Sequence, residues 1–125
     1  MMKLTILSER LAVCRLSAND PFPVWAHSGS LLAIVRTTDE LSVVCEEKFV
    51  PGDVRAEIGW CAFKVIGPLD FSTVGILSSL STALAQAGVS IFSISTYDTD
   101  YILVKHDCLS EAINALQQAG CTIQY

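Results

Sequence analysis

The sequence predicts an α+β fold for a chain of 125 residues. Short apolar runs typical of strands fill the first half, and strand and helix patterns alternate in the second half. Two similar helix ends, closed by Gly88 and Gly120, each lead directly into a strand. Hydrophobic residues make up 51% and charged residues 17% of the chain, a composition that excludes intrinsic disorder.

The first half is expected to consist of short strands joined by turns. Apolar runs predict four strands, at residues 4–7, 11–16, 31–35 and 41–45. Pro21 and Pro23 forbid a regular strand after the second of these runs, and one helical turn is expected at residues 24–26.

The second half has the element order βαββαβ, beginning with a strand at residues 60–66. The first helix is expected from about Ser72 to Ala87, with Leu80 and Leu84 on its inner face. Asp107 is expected to cap the second helix, with Ala112 and Leu116 on its inner face. This order is that of the ferredoxin-like sandwich, in which two helices pack on one face of an antiparallel sheet.

A repeated motif connects the two halves. The segment from Thr38 to Val44 is similar to the segment from Thr99 to Val104, and each is a hairpin turn that leads into a strand. The similarity predicts two domains, with residues 1–59 a shortened copy of the unit in residues 60–125. The alternative is chance similarity between apolar strands that follow Thr-Asp turns.

Composition limits the partners of the chain. The net charge of −5 argues against nucleic acid as a partner. No run approaches the roughly 20 apolar residues of a membrane span, and the first residues lack a signal-peptide pattern. Five cysteines, an odd number without a Cys-x-x-Cys pair, favour a reduced cytoplasmic protein without disulfides or a zinc site.

The first helix of the second half has no charged residue between Ser72 and Ala87. A helix that faces solvent normally carries Glu and Lys. The low charge of this helix and of the whole chain favours a buried contact surface, and a homodimer or higher homo-oligomer is expected.

Catalytic residues are hard to find in the sequence. His27 and His106 have no partner at the spacing of metal ligands, and no nucleophile pairs with a general base. Phosphate-binding and dinucleotide-binding motifs are absent. We therefore expect no enzymatic activity, no metal and no cofactor.

A binding site for a zwitterion is one interpretation of the remaining polar residues. The start of the first helix suits a carboxylate, and Gly75 is expected to allow its close approach. The turn at residues 97–100 offers an aromatic side chain, and Asp98 or Asp100 could pair with an ammonium group. The alternative is a simple helix cap beside a solvated turn.

Several of these segments resemble the ACT domain, the amino-acid-sensing module of aspartate kinases and related enzymes. The resemblance lies in Gly75-Ile76 and in residues 84–91, 94–96, 100–104 and 112–120. It is strong for residues 60–125 and weaker for residues 1–59. The chain is similar to small tandem-ACT proteins related to the cytosolic arginine sensors of animals.

The resemblance implies an amino-acid pocket between two ACT units. Eight residues are implied as ligand contacts: Ser42, Val43, Thr73, Gly75, Ile76, Tyr97, Thr99 and Asp100. The first two would offer backbone and hydroxyl groups, and the next three would receive the carboxylate at the helix start. The last three would close the pocket, with Asp100 meeting a cationic group.

The resemblance thus favours a non-catalytic regulatory protein that binds an amino acid and acts on a separate effector protein. The alternative is a structural or protein-interaction subunit that binds no ligand.

Overall fold

The computed structural model describes residues 2–27, 29–67 and 74–125. These residues form a mixed α+β structure, as predicted. The strands are β1 (Lys3–Ile6), β2 (Leu11–Leu16), β3 (Ala33–Arg36), β4 (Leu41–Glu46), β5 (Arg55–Val65), β6 (Ile91–Ser95), β7 (Asp100–Lys105) and β8 (Thr122–Gln124). The α-helices are α1 (Ile76–Gln86) and α2 (Leu109–Gln118), and short 3-10 helices follow β4 (Glu47–Phe49) and β7 (His106–Cys108).

The chain divides into two compact units. The N-terminal unit is Ser8–Trp60, and the C-terminal unit combines Met1–Leu7 with Cys61–Tyr125. Strand β5 contributes its first residues to the N-terminal unit and its last five to the C-terminal unit.

The C-terminal unit has the predicted ferredoxin-like element order, with one added strand. Its strands lie in the order β6-β7-β5-β1-β8. Strand β1 pairs antiparallel with β5 and parallel with β8. A simple ferredoxin-like sheet would place β8 directly beside β5, so β1 is an additional strand inserted between them.

This position of β1 differs from the predicted boundary, which assigned residues 1–59 to the first domain. Leu4 lies opposite Val65 on one side and Ile123 on the other. Its side chain is fully buried in the core of the C-terminal unit. A hydrophobic side chain gains stability by leaving water wherever the sheet offers a partner, even one distant in sequence.

The two helices bury the faces that their periodicity predicts. Leu80 and Leu84 of α1, with Ala112 and Leu116 of α2, belong to the core of the C-terminal unit. No helix within the described ranges is long and apolar enough to cross a membrane.

Both helices begin later than predicted. Gly75 precedes α1 with φ of 84°, a left-handed conformation that a right-handed helix cannot include. A Cβ there would meet no atom of the described chain within 4 Å, so backbone conformation rather than close packing requires this glycine. Helix α2 follows a 3-10 turn, and Cys108 rather than Asp107 occupies its N-cap position.

The N-terminal unit retains the sheet of the predicted fold but replaces its helices with turns. Strands β3, β4, β2 and β5 lie in this order and are all antiparallel, which is the ferredoxin-like arrangement. Where the helical turn was predicted, the Ala26 N–H donates to the Pro23 carbonyl at 3.0 Å and closes a turn. Trp25 and Val54 pack against the core of this unit.

Hydrogen bonds show that the two hairpins repeat in a register different from the predicted one. The Thr37 N–H donates to the Glu40 carbonyl at 2.9 Å, and the Thr96 N–H donates to the Thr99 carbonyl at 2.8 Å. In both turns the first threonine hydroxyl bonds the same two backbone groups. Thr37 therefore corresponds to Thr96, and the predicted match of Thr38 with Thr99 is two residues out of register.

Candidate functional site

A cavity of about 210 Å³ opens at one end of the C-terminal sheet. The described residues that line it are Lys64, Gly67, Asp98 and Thr99. Sites for drug-sized ligands measure about 300–1,000 Å³. A volume of this size suits a metabolite as small as one amino acid.

Two segments of chain supply these residues. Lys64 is the second-last residue of β5 and Gly67 follows the strand, whereas Asp98 and Thr99 lie in the turn between β6 and β7. The cavity thus has a lysine and an aspartate among its lining residues. Such a pair of opposite charges matches a ligand that carries both a carboxylate and an ammonium group.

The buried hydroxyl of Thr99 fixes this turn to β5. Thr99 is 4% exposed, and its Oγ1 donates to the Val65 carbonyl at 2.6 Å. The Thr96 hydroxyl donates to the Thr99 carbonyl at 3.0 Å and accepts from the Thr99 N–H at 3.2 Å. Thr99 is therefore a positioning residue that holds Asp98 near the end of β5.

Replacing Thr99 with valine is expected to destabilise the protein by about 1–3 kcal/mol, because the buried Val65 carbonyl loses its hydroxyl donor. Denaturant unfolding measures this difference. Thr38→Val, at an exposed threonine in the other hairpin, is the matched control and should change stability by no more than about 0.5 kcal/mol. Equal stabilities of the two variants would contradict the positioning role.

Asp100 and Tyr97 lie near this cavity in sequence but have different environments. The Asp100 Oδ1 accepts a hydrogen bond from the Ser95 hydroxyl at 2.6 Å, and the Tyr97 side chain is 80% exposed. Neither is among the described residues that line the cavity. Of the two aspartates considered for an ammonium group, the cavity wall contains Asp98.

The residues predicted at the helix start are only partly described. Thr73 lies outside the described residues. Gly75 accepts the first helical hydrogen bond, from the Ser79 N–H at 2.9 Å, and Ile76 packs against the core of the C-terminal unit. Their role in binding a carboxylate stays a prediction.

The other two predicted residues lie in the N-terminal unit, on β4. The Val43 side chain is fully buried in the core of that unit. Ser42 is half-buried and lies opposite Arg15 of β2 and Val35 of β3. Their participation in a ligand site also stays a prediction.

Lys64 and Gly67 were not predicted as site residues. The signal for Lys64 was present, since it is a lone charge within the apolar strand predicted at residues 60–66.

The structure also reveals a thiol–imidazole pair that the sequence did not predict. The Cys61 Sγ lies 3.5 Å from the His106 Nδ1. Cys61 is 6% exposed, so its sulfur is poorly accessible to a substrate. No group of three or more histidine, cysteine or acidic side chains within the described ranges could hold a metal ion.

All five cysteines are free thiols. Cys14 and Cys45 are buried on neighbouring strands of the N-terminal unit. The hydrogen bond that Cys14 donates to Cys45, together with burial, raises the pKa of the Cys14 thiol. Cys14 therefore stays protonated and behaves as an apolar core residue.

Models of known families match most of both units. A model of the ACT domain matches residues 55–118, which include every described residue that lines the cavity. A second family model, which describes an N-terminal domain, matches residues 9–53.

Solved structures show the same fold. A protein from Agobacterium tumefaciens is 40% identical, with a TM-score of 0.93 over 98% of this chain and 92% of that chain. The ligand-free regulatory subunit of aspartate kinase from Thermus thermophilus is 10% identical, with a TM-score of 0.63 over 92% of this chain and 97% of that one. Aspartate kinase from Clostridium acetobutylicum is 13% identical, with a TM-score of 0.67 over 93% of this chain and 34% of that one.

Proposed function

Because this chain belongs to the ACT domain family, we propose that it is a non-catalytic regulatory protein that binds a free amino acid in the cavity of its C-terminal unit. The observation that carries the proposal is the cavity itself, because both Lys64 and Asp98 are among the residues that line it. The regulatory subunit of the Thermus thermophilus aspartate kinase, whose fold this chain shares, is a precedent for such a role.

Each charged group in the cavity has a complementary group on an amino acid. The Lys64 ammonium binds the ligand carboxylate, and the Asp98 carboxylate binds the ligand ammonium group. Hydrogen bonds to charged groups contribute about 1.5–3 kcal/mol each. Gly67 has no side chain, so the ligand can lie close to the backbone at this wall.

The remaining predicted contacts complete the proposal. Thr73, Gly75 and Ile76 are proposed to lie beside the ligand carboxylate, and Tyr97 and Asp100 beside its side chain.

Regulation requires that the ligand favour one conformation or assembly over another. The exposed face of α1 has only small or uncharged residues, namely Ser78, Ser79, Thr82, Ala85 and Gln86. We propose this face as a contact surface of a homodimer or higher homo-oligomer that passes the signal to a separate effector protein. The same face favours the alternative function, a protein-interaction subunit without a ligand.

Thermal unfolding in the presence of each of the common amino acids at millimolar concentration tests the proposed function. A ligand that binds only the folded state stabilises it by about 2.7 kcal/mol at a hundredfold excess over Kd. We expect one amino acid, or a few related ones, to raise the Tm.

The control is the corresponding amino-acid amide, which keeps the ammonium group but lacks the carboxylate. It should leave the Tm unchanged, because Lys64 has no anion to bind. A Tm that no amino acid changes would favour the protein-interaction subunit.

A further inference from the structure

The N-terminal unit contains a counterpart of each described residue that lines the cavity. The repeated hairpin turns align Asp39 and Glu40 with Asp98 and Thr99. Strands β2 and β5, which end at Leu16 and Val65, occupy the same position in the two element orders. The counterparts are Arg15 for Lys64, Ala18 for Gly67, Asp39 for Asp98 and Glu40 for Thr99.

Strand pairing supports the alignment of the two hairpins. Arg36 is the last residue of β3 and lies opposite Leu41, the first residue of β4. Ser95 is the last residue of β6 and lies opposite Asp100, the first residue of β7. The two hairpins therefore have the same register, and Arg36 corresponds to Ser95.

The two units differ in the side-chain hydrogen bonds made at these positions. In the N-terminal unit, the Arg15 Nη2 donates to the Asp39 carbonyl at 3.2 Å, and the Arg36 Nη1 donates to the Ala18 carbonyl. Two guanidinium groups of the chain thus bind the backbone at two of the four counterpart positions. In the C-terminal unit, the shorter Ser95 donates instead to Asp100, and the four residues line an open cavity.

We propose that the N-terminal unit carries a second copy of the amino-acid site, which its own Arg15 and Arg36 occupy. Each chain then binds one amino acid, in the C-terminal unit. The proposal rests on the proposed function for its ligand class. A tethered guanidinium group competes at high effective concentration, so a free amino acid at millimolar concentration does not displace both arginines.

The chain itself indicates the substitutions that would open the second copy. Arg15→Lys and Arg36→Ser give the N-terminal unit the residues found at the same positions of the C-terminal unit. Arg15 and Arg36 are exposed, and both substitutions leave the cores of the two units intact. Far-ultraviolet circular dichroism and the Tm check that the double variant is folded.

Saturation-transfer NMR with each common L-amino acid at millimolar concentration identifies ligands of the wild type and of the double variant. Titration calorimetry with those ligands then gives the number of sites. We expect one site per wild-type chain and two per R15K/R36S chain. Adding Lys64→Met should weaken the single site of the wild type about tenfold to a hundredfold, and should leave one site of unchanged affinity in the R15K/R36S background.

The other outcomes separate this inference from the proposed function. Two sites in the wild type, or a single site in R15K/R36S that Lys64→Met weakens as much as it does in the wild type, would overturn the inference and leave the proposed function standing. Binding by R15K/R36S alone would support the inference and contradict a ligand in the C-terminal cavity. Binding by neither protein would overturn both.

Discussion

Replacing Leu4 with alanine is expected to lower the free energy of unfolding by about 2–5 kcal/mol. Leu4 is fully buried between Val65 of β5 and Ile123 of β8. The smaller side chain leaves a cavity at the centre of the C-terminal sheet, and the neighbouring strands cannot close it without losing their hydrogen bonds. The loss is large because β1 lies inside the sheet, with a partner strand on each side.

Denaturant unfolding followed by circular dichroism measures this effect. Val35→Ala is the matched control, because Val35 is also a strand residue but is 57% exposed. It should change stability by about 0.5 kcal/mol or less. If Leu4→Ala costs no more than the control, β1 does not belong to the core of the C-terminal unit.

Lys64→Met and Asp98→Asn are each expected to weaken binding of the amino acid about tenfold to a hundredfold. Each variant keeps the approximate shape of the side chain and removes one charge that lines the cavity. The loss of a hydrogen bond to a charged group costs about 1.5–3 kcal/mol, and every 1.4 kcal/mol changes Kd tenfold. Titration calorimetry with the amino acid that raises the Tm gives the two dissociation constants.

Two further variants make this prediction specific. Asp53→Asn changes an exposed carboxylate in a turn of the N-terminal unit and should leave the affinity unchanged. Asp100→Asn distinguishes the cavity from the site that the ACT resemblance implies. A large loss with Asp100→Asn and none with Asp98→Asn would return the cation-binding role to Asp100.

Local sequence patterns were sufficient to predict most elements of the fold. The periodicity of α1 and α2 identified Leu80, Leu84, Ala112 and Leu116 as buried residues. Glycines with positive φ end both helices, as predicted at Gly88 and Gly120. These features depend on side chains and backbone conformations within one or two turns of chain, so a single sequence contains the information.

Pairing between distant segments could not be predicted in the same way. Nothing near Leu4 in the sequence indicates that its strand lies between β5 and β8. The late start of α1 depends on the φ of Gly75, and a glycine adopts positive or negative φ with similar ease. The register of the repeat became clear only from the hydrogen bonds of Thr37 and Thr96.

In the candidate site, too, local features could be predicted from the sequence and contacts between distant segments could not. The turn that contains Asp98 and Thr99 was predicted to hold ligand-binding residues, because it concentrates polar groups in a short segment. Lys64 was missed because it lies far from that turn in sequence, and only the fold brings the end of β5 to it. The correspondence of Arg15 with Lys64 and of Arg36 with Ser95 could be found only from the sheet order and the side-chain hydrogen bonds.

The most direct test of an amino-acid site in the C-terminal cavity is a titration of the isotope-labelled protein, followed through its amide chemical shifts, with each common amino acid. The account predicts that at least one amino acid shifts the amides of residues 64–67 and 96–100 in a saturable way, with little change in the hairpin at residues 37–40. Saturable shifts confined to the N-terminal unit, or no shifts with any amino acid, would contradict it.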